Sequence, residues 1–256
     1  MLKLRAIEAF EDNYIWTLAN ADGQAIIVDP GDATPVFAAI AAGLRPVAIL
    51  LTHHHPDHIG GAEQLLQRFD VPCYAPVEPR IGCATHRVGD GDGFVIPELD
   101  LHFDVLEVHG HTSSHIAFAG NGMLFCGDTL FSLGCGRMFE GTPEQMLASL
   151  DRLAALPPAT QVCCGHEYTL SNGAFASVIE PDNLQLQDRL REVRALRDVG
   201  QPSVPSTLAS ELACNPFLRV EAPAVRAAVQ QHLGTPCDDR VQTFAALRRW
   251  KDGFRA

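Results

Sequence analysis

The sequence has no hydrophobic run of the length needed to span a membrane. It also lacks an excess of positive charge, since 19 Lys and Arg residues stand against 31 Asp and Glu residues and the formal net charge is −12. This balance argues against nucleic acid or an anionic membrane surface as a partner. An anionic small molecule is still compatible with it, provided that positive charge is gathered locally at its site.

The sequence shows no secretion signal either. Residues 1–8 alternate between polar and apolar side chains like a strand, without the basic start and continuous apolar stretch of a signal peptide. We therefore expect a cytosolic protein. Cysteine usage fits this location, because Cys73, Cys126, Cys163 and Cys164 lie in or beside strand-like apolar runs. That placement predicts buried free thiols rather than disulfides.

The chain contains no internal repeat and no low-complexity tract, and its 256 residues suffice for one substantial domain and a smaller one. Over the first two thirds, strand-like runs alternate with helical patterns. From about Gly173 onward the pattern becomes helical alone. This change predicts an α/β protein in which a mixed α/β domain, residues 1–172, is followed by a small all-helical domain, residues 173–256.

Hydrophobic periodicity places the individual elements along the chain. The predicted strands are 4–9, 14–18, 25–28, 47–51, 99–103, 105–108, 116–119, 123–126 and 161–164. The predicted helices are 35–42, 61–69 and 143–155. Thr142 is expected to cap the last of these helices, and the glycine-containing segment 76–97 is expected to be rich in loops.

Three imidazoles and a carboxylate stand close together in the spacing His-x-His-x-Asp-His, formed by His53, His55, Asp57 and His58. An apolar run precedes them and a Gly-Gly pair follows, so the cluster lies on a loop at the carboxyl end of a strand. Proteins of the α/β class commonly place their ligand sites there. Nitrogen and oxygen donors at this density suit divalent metals. The segment therefore predicts a metal site, and one for two ions.

Three further donors follow strand-like runs later in the chain. His111, Asp128 and His166 each come directly after a glycine that follows or ends an apolar run. Such a glycine lets the chain turn sharply without a side chain that obstructs the site. If the three strand ends meet at one rim, their donors would complete two coordination spheres.

These motifs resemble the signature of the metallo-β-lactamase superfamily, in which a His-x-His-x-Asp-His loop is followed by a later His, Asp and His. The resemblance implies an αββα sandwich, with two mixed β-sheets flanked by helices. The ligands that it implies are His53, His55 and His111 for one metal, Asp57, His58 and His166 for the second, and Asp128 as a bridge. Two such cations would lower the pKa of a shared water and supply hydroxide at neutral pH. Zinc is the first expectation for both positions, and iron or manganese also suits these ligands.

Finer motifs narrow the resemblance: GCGR at 134–137, GHEY at 165–168, NPFLR at 215–219 and LRRWKD at 247–252. Together they resemble the glyoxalase II (hydroxyacylglutathione hydrolase) family over essentially the whole chain. The resemblance implies hydrolysis of S-(2-hydroxyacyl)glutathione, such as S-D-lactoylglutathione, to glutathione and a 2-hydroxy acid such as D-lactate. This is the second step of methylglyoxal detoxification. Asp57 would also orient the attacking hydroxide.

Glutathione carries two carboxylates, so its pocket needs cations and hydrogen-bond donors. By the resemblance, Arg137, Tyr168, Arg248 and Lys251 contact the glutathione moiety. Arg248 and Lys251 stand three residues apart on a predicted helix and so share one face. Phe139 stands where some members of the family carry an aromatic hydroxyl, which removes one hydrogen bond to glutathione.

The remaining histidines of the motifs receive other interpretations. His54 alternates outward from the ligand pair and is interpreted as non-ligating. His109 stands where the family usually has proline and could compete for metal. His115 is interpreted either as a residue that supports a ligand or as a histidine of the core.

Two alternatives stay open beside the hydrolase. The first is a mononuclear iron persulfide dioxygenase of the same superfamily, which would use a subset of ligands such as His53, His111 and Asp128. The second is a metal-binding module without turnover. The helical tail with Arg248 and Lys251, and the Gly-Cys-Gly-Arg stretch that ends at Arg137, favour the hydrolase. We expect the hydrolase to be a monomer.

Overall fold

The computed structural model describes residues 2–237 and 239–255. The chain forms two compact units. The first comprises Met1–Glu107, Ser114–Gly127 and Cys163–His166, and the second Val108–Ser113, Asp128–Val162 and Glu167–Ala256. The linear division into residues 1–172 and 173–256 stays a prediction.

Strands and helices alternate along most of the chain. The strands are β1 (Lys3–Ala9), β2 (Asn13–Ala19), β3 (Gln24–Val28), β4 (Arg45–Leu50), β5 (Cys73–Pro76), β6 (His86–Val88), β7 (Gly93–Ile96), β8 (Leu101–Glu107), β9 (Ile116–Gly120), β10 (Met123–Gly127), β11 (Leu130–Phe131), β12 (Gly134–Cys135), β13 (Gln161–Cys164) and β14 (Ser206–Thr207). The helices are α1 (Ala33–Ala41), α2 (Pro56–Ile59), α3 (Ala62–Leu66), α4 (Pro143–Ala154), α5 (Thr169–Ile179), α6 (Leu184–Asp198), α7 (Leu208–Cys214), α8 (Pro223–Leu233) and α9 (Arg240–Gly253), and Pro97–Leu99 forms a 3-10 turn.

The first unit contains a six-stranded sheet in which β1 to β6 lie in chain order. Strands β1 to β3 pair antiparallel, whereas β3 to β6 pair parallel. The carboxyl ends of β3 and β4 therefore lie at the same edge of this sheet. That edge carries Asp29 and the segment 52–58, so the fold places the histidine-rich loop beside a second acidic residue.

The first unit also holds most of a second sheet, with the order β13-β10-β9-β8-β7. Its core is aromatic: Phe103, Phe118 and Phe125 are fully buried. Burial of one such side chain stabilises a fold by about 1.5–3 kcal/mol. This packing gives β10 and β13 a rigid base, from which the chain continues to the predicted ligands Asp128 and His166.

The second unit is built on helices α4 to α9, with the short hairpin of β11 and β12. Its centre is a cluster of buried rings, in which Phe217 lies 6.2 Å from Phe175 and 5.9 Å from Phe244 between ring centroids. Helix α4 begins as predicted at a capping box. Thr142 Oγ1 accepts a hydrogen bond from the Gln145 backbone N–H at 3.3 Å, and Gln145 Oε1 accepts one from the Thr142 N–H at 2.9 Å.

Most strand predictions are confirmed within two residues, and the differences have local causes. The predicted strands 99–103 and 105–108 are one strand, β8, because exposed Asp104 interrupts the apolar run without interrupting the pairing to Gly93 and Ala119. The predicted loop region 76–97 contains the short strands β6 and β7. The region predicted as helical alone contains β14, and the predicted helix 61–69 ends at Leu66.

The cysteines bear on the expected location. All eight cysteines are free thiols, as predicted, and seven of them are buried. Within residues 2–237 and 239–255, no helix is long and apolar enough to cross a membrane.

Candidate metal centre

The loop after β4 passes unusually close to the loop after β3. A Cβ atom at Gly31 would collide with the carbonyl oxygen of Asp57, so only glycine permits this approach. The segment then enters the short helix α2 at Pro56, whose missing N–H costs nothing at a helix start. These two local features turn Asp57 and His58 toward the end of β13.

Three predicted ligands of the first unit come together there. The ligand atoms of Asp57, His58 and His166 lie within 4.8 Å of one another. The Nε2 atoms of His58 and His166 lie 3.6 and 3.5 Å from Asp57 Oδ2. Both imidazoles are buried, whereas the Asp57 side chain is 40% exposed. The cluster thus opens to solvent on the side of the carboxylate.

Each of these two imidazoles has a carboxylate next to its Nδ1 atom, on the side away from Asp57. His58 Nδ1 lies 3.0 Å from Asp29 Oδ2, and His166 Nδ1 lies 2.8 Å from Asp12 Oδ1. With Nδ1 of each ring hydrogen-bonded to a carboxylate, Nε2 is the nitrogen left available to a metal. Metal-binding histidines are generally supported in this way. The donor set and its support therefore fit a divalent metal.

The Asp57 carboxylate is itself held in place. Asn13 Nδ2 donates to Asp57 Oδ2 at 2.9 Å and approaches the Asp57 carbonyl oxygen at 3.3 Å. Asp29, in turn, accepts hydrogen bonds from the backbone N–H of Thr52 at 2.8 Å and from its hydroxyl at 2.7 Å. Every predicted ligand of this cluster is therefore oriented by a partner from a different segment.

Sequence reasoning missed Asp12, Asn13 and Asp29. For Asp29 a signal was present, because it directly follows the apolar run of β3, in the same strand-end position as the other donors. Asp29 also lies within 4.8 Å of His53 and His58 as a potential ligand set. Its oxygens already bind Thr52 and His58 Nδ1, so a supporting role accounts for it better.

His53 and His55 form a second pair in the first unit. His53 is fully buried, and its Nε2 lies 3.0 Å from His55 Nδ1. The ring of His53 stacks on that of His115, with centroids 4.5 Å apart and an angle of 16° between the rings. His54 points elsewhere, with its Nδ1 3.9 Å from Glu78 Oε2.

In the second unit, His111 and Asp128 lie together. His111 Nε2 is 3.5 Å from Asp128 Oδ2, and both side chains are buried. His111 Nδ1 lies 2.8 Å from the carbonyl oxygen of Arg137, which it serves as a hydrogen-bond donor. A Cβ at Gly136 would collide with the Asp128 carbonyl oxygen, so glycine is required where the chain returns past Asp128.

The predicted cations of the second unit gather around one carboxylate. Asp252 Oδ1 lies 2.9 Å from Arg248 Nη2 and 3.6 Å from Arg137 Nε. Arg248 is only 4% exposed and donates from Nη1 to the Cys135 carbonyl at 2.8 Å. Lys251 donates to the Ser171 carbonyl at 3.1 Å. Burial, with the neighbouring charges of Arg248 and Arg137, lowers the pKa of Lys251 to about 8.

The two predicted aromatic contacts also lie in the second unit. The ring of Tyr168 meets that of Phe131 edge to face, with centroids 5.2 Å apart. Phe139 meets His111 similarly at 5.3 Å and is 64% exposed. Phe139 therefore presents apolar surface beside a predicted metal ligand.

The chain matches two family models in succession. Residues 13–82 and 84–166 match the metallo-beta-lactamase superfamily, and residues 167–254 match the hydroxyacylglutathione hydrolase C-terminus. Among curated relatives, the hydroxyacylglutathione hydrolase of Xylella fastidiosa (strain M12) is 56% identical over 254 residues, covering 99% of this chain and 98% of the relative. That of Xanthomonas campestris pv. campestris (strain B100) is 55% identical over 257 residues, covering 100% of both.

Solved structures agree on the fold. The BLEG-1 B3 metallo-beta-lactamase superposes with a TM-score of 0.62 at 25% identity, covering 85% of this chain and 99% of that one. ETHE1 from Myxococcus xanthus superposes with a TM-score of 0.65 at 23% identity, covering 96% and 89%, a likeness of fold alone. The predicted sandwich fold with a helical C-terminal region is confirmed. The chain belongs to the hydroxyacylglutathione hydrolase family of the metallo-β-lactamase superfamily.

Proposed function

We propose that this chain hydrolyses the thioester bond of S-(2-hydroxyacyl)glutathione, releasing glutathione and a 2-hydroxy acid. S-D-lactoylglutathione, which yields D-lactate, is the expected substrate. The observation that carries this proposal is the full-length relatedness to hydroxyacylglutathione hydrolases, which extends through residues 167–254. The histidine-rich loop is common to a superfamily with many reactions, whereas residues 167–254 match the model of the hydroxyacylglutathione hydrolase C-terminus.

We propose two divalent metal ions per chain, zinc before iron or manganese. The proposed ligands are His53, His55 and His111 for one ion, Asp57, His58 and His166 for the other, and Asp128 for both. The convergence of Asp57, His58 and His166 within 4.8 Å, backed by carboxylates, supports the second set. When bound, the ions would supply hydroxide at neutral pH and polarise the thioester carbonyl.

Residues next to the proposed ligands determine how the ligand side chains are oriented. Asp12 and Asp29 keep the imidazoles of His166 and His58 in the tautomer that presents Nε2. Asn13 holds the Asp57 carboxylate in one rotamer, and we propose that Asp57 orients the attacking hydroxide in addition to binding metal. Attack on the carbonyl carbon and collapse then expel the glutathione thiolate, a good leaving group.

Recognition of glutathione falls to the second unit. We propose that Arg137, Tyr168, Arg248 and Lys251 bind its carboxylates and polar groups, and that Phe139 contributes apolar contact. The side chain of Arg137 is 63% exposed and therefore accessible to ligand. Arg248 is buried and donates a hydrogen bond to the Cys135 carbonyl. Its guanidinium therefore supports the chain around Cys135 as well as adding positive charge.

We also propose that the protein is cytosolic and acts as a monomer. Eight free thiols suit a reducing compartment, which supports the location. The monomeric state stays a prediction.

The test is release of free thiol from S-D-lactoylglutathione by metal-replete protein, with and without a chelator. We expect metal-dependent release. As a matched substrate, the D-lactoyl thioester of N-acetylcysteamine lacks the glutathione carboxylates and should show kcat/KM at least about 100-fold lower. If the protein instead consumes oxygen with glutathione persulfide and releases no thiol from S-D-lactoylglutathione, it is the dioxygenase.

A further inference from the structure

The hairpin β11–β12 lies between Asp128 and Arg137, and its tip has an unusual backbone. Leu133 has a φ of 59°, in the left-handed region that branched side chains rarely adopt. Such a conformation persists only where surrounding contacts impose it. The segment 128–137, called here the ligand loop, is held in this conformation by groups outside it.

A buried carboxyl group binds the tip of the ligand loop. Glu211, on α7, is fully buried, and its Oε2 accepts a hydrogen bond from the Leu133 backbone N–H at 2.7 Å. The same oxygen accepts from Asn215 Nδ2 at 3.1 Å. Burial raises the pKa of Glu211. A carboxyl group in such a place is costly unless it is hydrogen-bonded, and this one is bonded to the loop.

Side-chain amides bind the remaining polar groups of the tip. Asn215 Nδ2 donates to the carbonyl oxygens of Phe131 at 3.1 Å and Gly134 at 2.9 Å. Asn172 Nδ2 donates to the Ser132 carbonyl at 3.1 Å. The strands β11 and β12 have only two residues each and cannot hold the tip by their own pairing. Helices α5 and α7 therefore impose the conformation of the tip.

The ligand loop transmits this conformation to its ends. The Gly136 N–H donates to the Thr129 carbonyl at 3.1 Å and closes the base of the loop. The next residue, Arg137, offers its carbonyl to His111 Nδ1 at 2.8 Å. The loop thus begins at one proposed metal ligand, Asp128, and ends at the group that orients another.

We propose that Glu211, together with Asn215, is a positioning residue for the metal centre and the glutathione site. By holding Leu133 in its left-handed conformation, it sets where the Arg137 carbonyl meets His111. The inference rests on the proposed function for the roles of His111, Asp128 and Arg137. According to this inference, the buried carboxyl group of Glu211 is one of the determinants of metal affinity.

The test compares Glu211→Ala with Glu211→Gln. The Gln variant keeps an acceptor oxygen for Leu133 N–H and Asn215, whereas the Ala variant removes it. We expect Glu211→Ala to lower metal affinity at least about 10-fold, measured by competition with a chromophoric chelator. Hydrogen exchange of the amides in residues 129–137 should accelerate in the same variant. Glu211→Gln should retain the metal affinity and the slow exchange.

Glu180→Ala is the matched control. Glu180 is buried in the same unit, but it binds Arg219 at 2.9 and 3.0 Å and does not contact the ligand loop. This variant should lose thermal stability while it keeps wild-type metal affinity and loop exchange. If Glu211→Ala does not fold, Glu211→Asp replaces it, since the shorter side chain withdraws the acceptor and keeps the carboxyl group.

Three results would overturn the inference. The first is an unchanged metal affinity in the folded Glu211→Ala or Glu211→Asp variant. The others are a loss of metal affinity as large as that of Glu211→Ala in either Glu211→Gln or Glu180→Ala. None of these measurements uses the thioester substrate. A wild-type protein that binds metal but releases no thiol would therefore refute the proposed function. The positioning role of Glu211 could still be tested by metal affinity and amide exchange.

Discussion

The Nδ1 atom of His111 lies 2.8 Å from the carbonyl oxygen of Arg137. One hydrogen bond therefore joins a proposed metal ligand to the residue whose guanidinium we propose binds glutathione. Because a carbonyl only accepts, Nδ1 is the donor, and Nε2, the atom that faces Asp128, is the nitrogen left available to a metal. A proposed metal ligand and a proposed glutathione-binding residue are thus linked by one backbone hydrogen bond within the second unit.

Substitution of Asn13 should slow the chemical step. Asn13→Ala removes the donor that holds Asp57 Oδ2 at 2.9 Å, so the carboxylate gains rotational freedom. We expect kcat to fall about 10-fold or more with little change in KM, measured by steady-state thiol release. Asn20→Ala is the control, because Asn20 supports only the turn before β3. Equal losses in both variants would contradict the orienting role.

The pH dependence of KM should report on Lys251. Its pKa is lowered by burial to about 8, so the ammonium is charged below that pH and neutral above it. An anionic substrate needs the charged form, and KM should therefore rise as the pH increases through about 8. In Lys251→Met, KM should be high throughout and should lack this rise. The ratio of the two KM values across pH 6.5 to 9.5 cancels titration of the substrate itself, and a constant ratio would rule the assignment out.

Arg137→Ala and Arg248→Ala should have different consequences. Arg137 is largely exposed, so its loss should raise KM and leave the free energy of unfolding unchanged. Arg248 is buried and donates to the Cys135 carbonyl at 2.8 Å. Its loss leaves that carbonyl without a buried donor and should also destabilise the protein by about 1–3 kcal/mol in urea unfolding. Identical stability of the two variants would show that the buried hydrogen bond is unimportant.

Removal of metal should lower both activity and stability. Ligands that bind only the folded state stabilise it, by about 4 kcal/mol at a free concentration about 1,000 times Kd. We expect chelation to abolish thiol release and to lower Tm, and re-addition of zinc to restore both. In Asp57→Asn the shift of Tm on metal addition should be smaller, because one ligand charge is gone. A Tm that is insensitive to chelator in active protein would contradict a metal-dependent mechanism.

The proposed ligands themselves could be found from the sequence because they either form the His-x-His-x-Asp-His segment or follow a glycine near the end of an apolar run. Asp128 follows β10 and His166 follows β13 at the positions expected from hydrophobicity alone. The short strands β6 and β7 were not found, since three or four residues with exposed side chains leave no periodic pattern.

The groups that orient the ligands could not be found in the same way. Asp12 lies 154 residues from His166 along the chain, Asn13 lies 44 from Asp57, and Glu211 lies 78 from Leu133. No local pattern links residues at such separations. Strand register and helix packing bring them together.

The sequence by itself determined which donor types are available and where the strands that carry them end, because side-chain chemistry and hydrophobic periodicity are local properties. Only the tertiary structure decided which carboxylate stands behind each imidazole, and hence which nitrogen carries the proton. It also decided that Arg248 is buried on a carbonyl and that Glu211 holds the tip of the ligand loop. The physical reason is that hydrogen bonds depend on distances of about 3 Å between atoms, and folding sets these distances between segments that are remote in sequence.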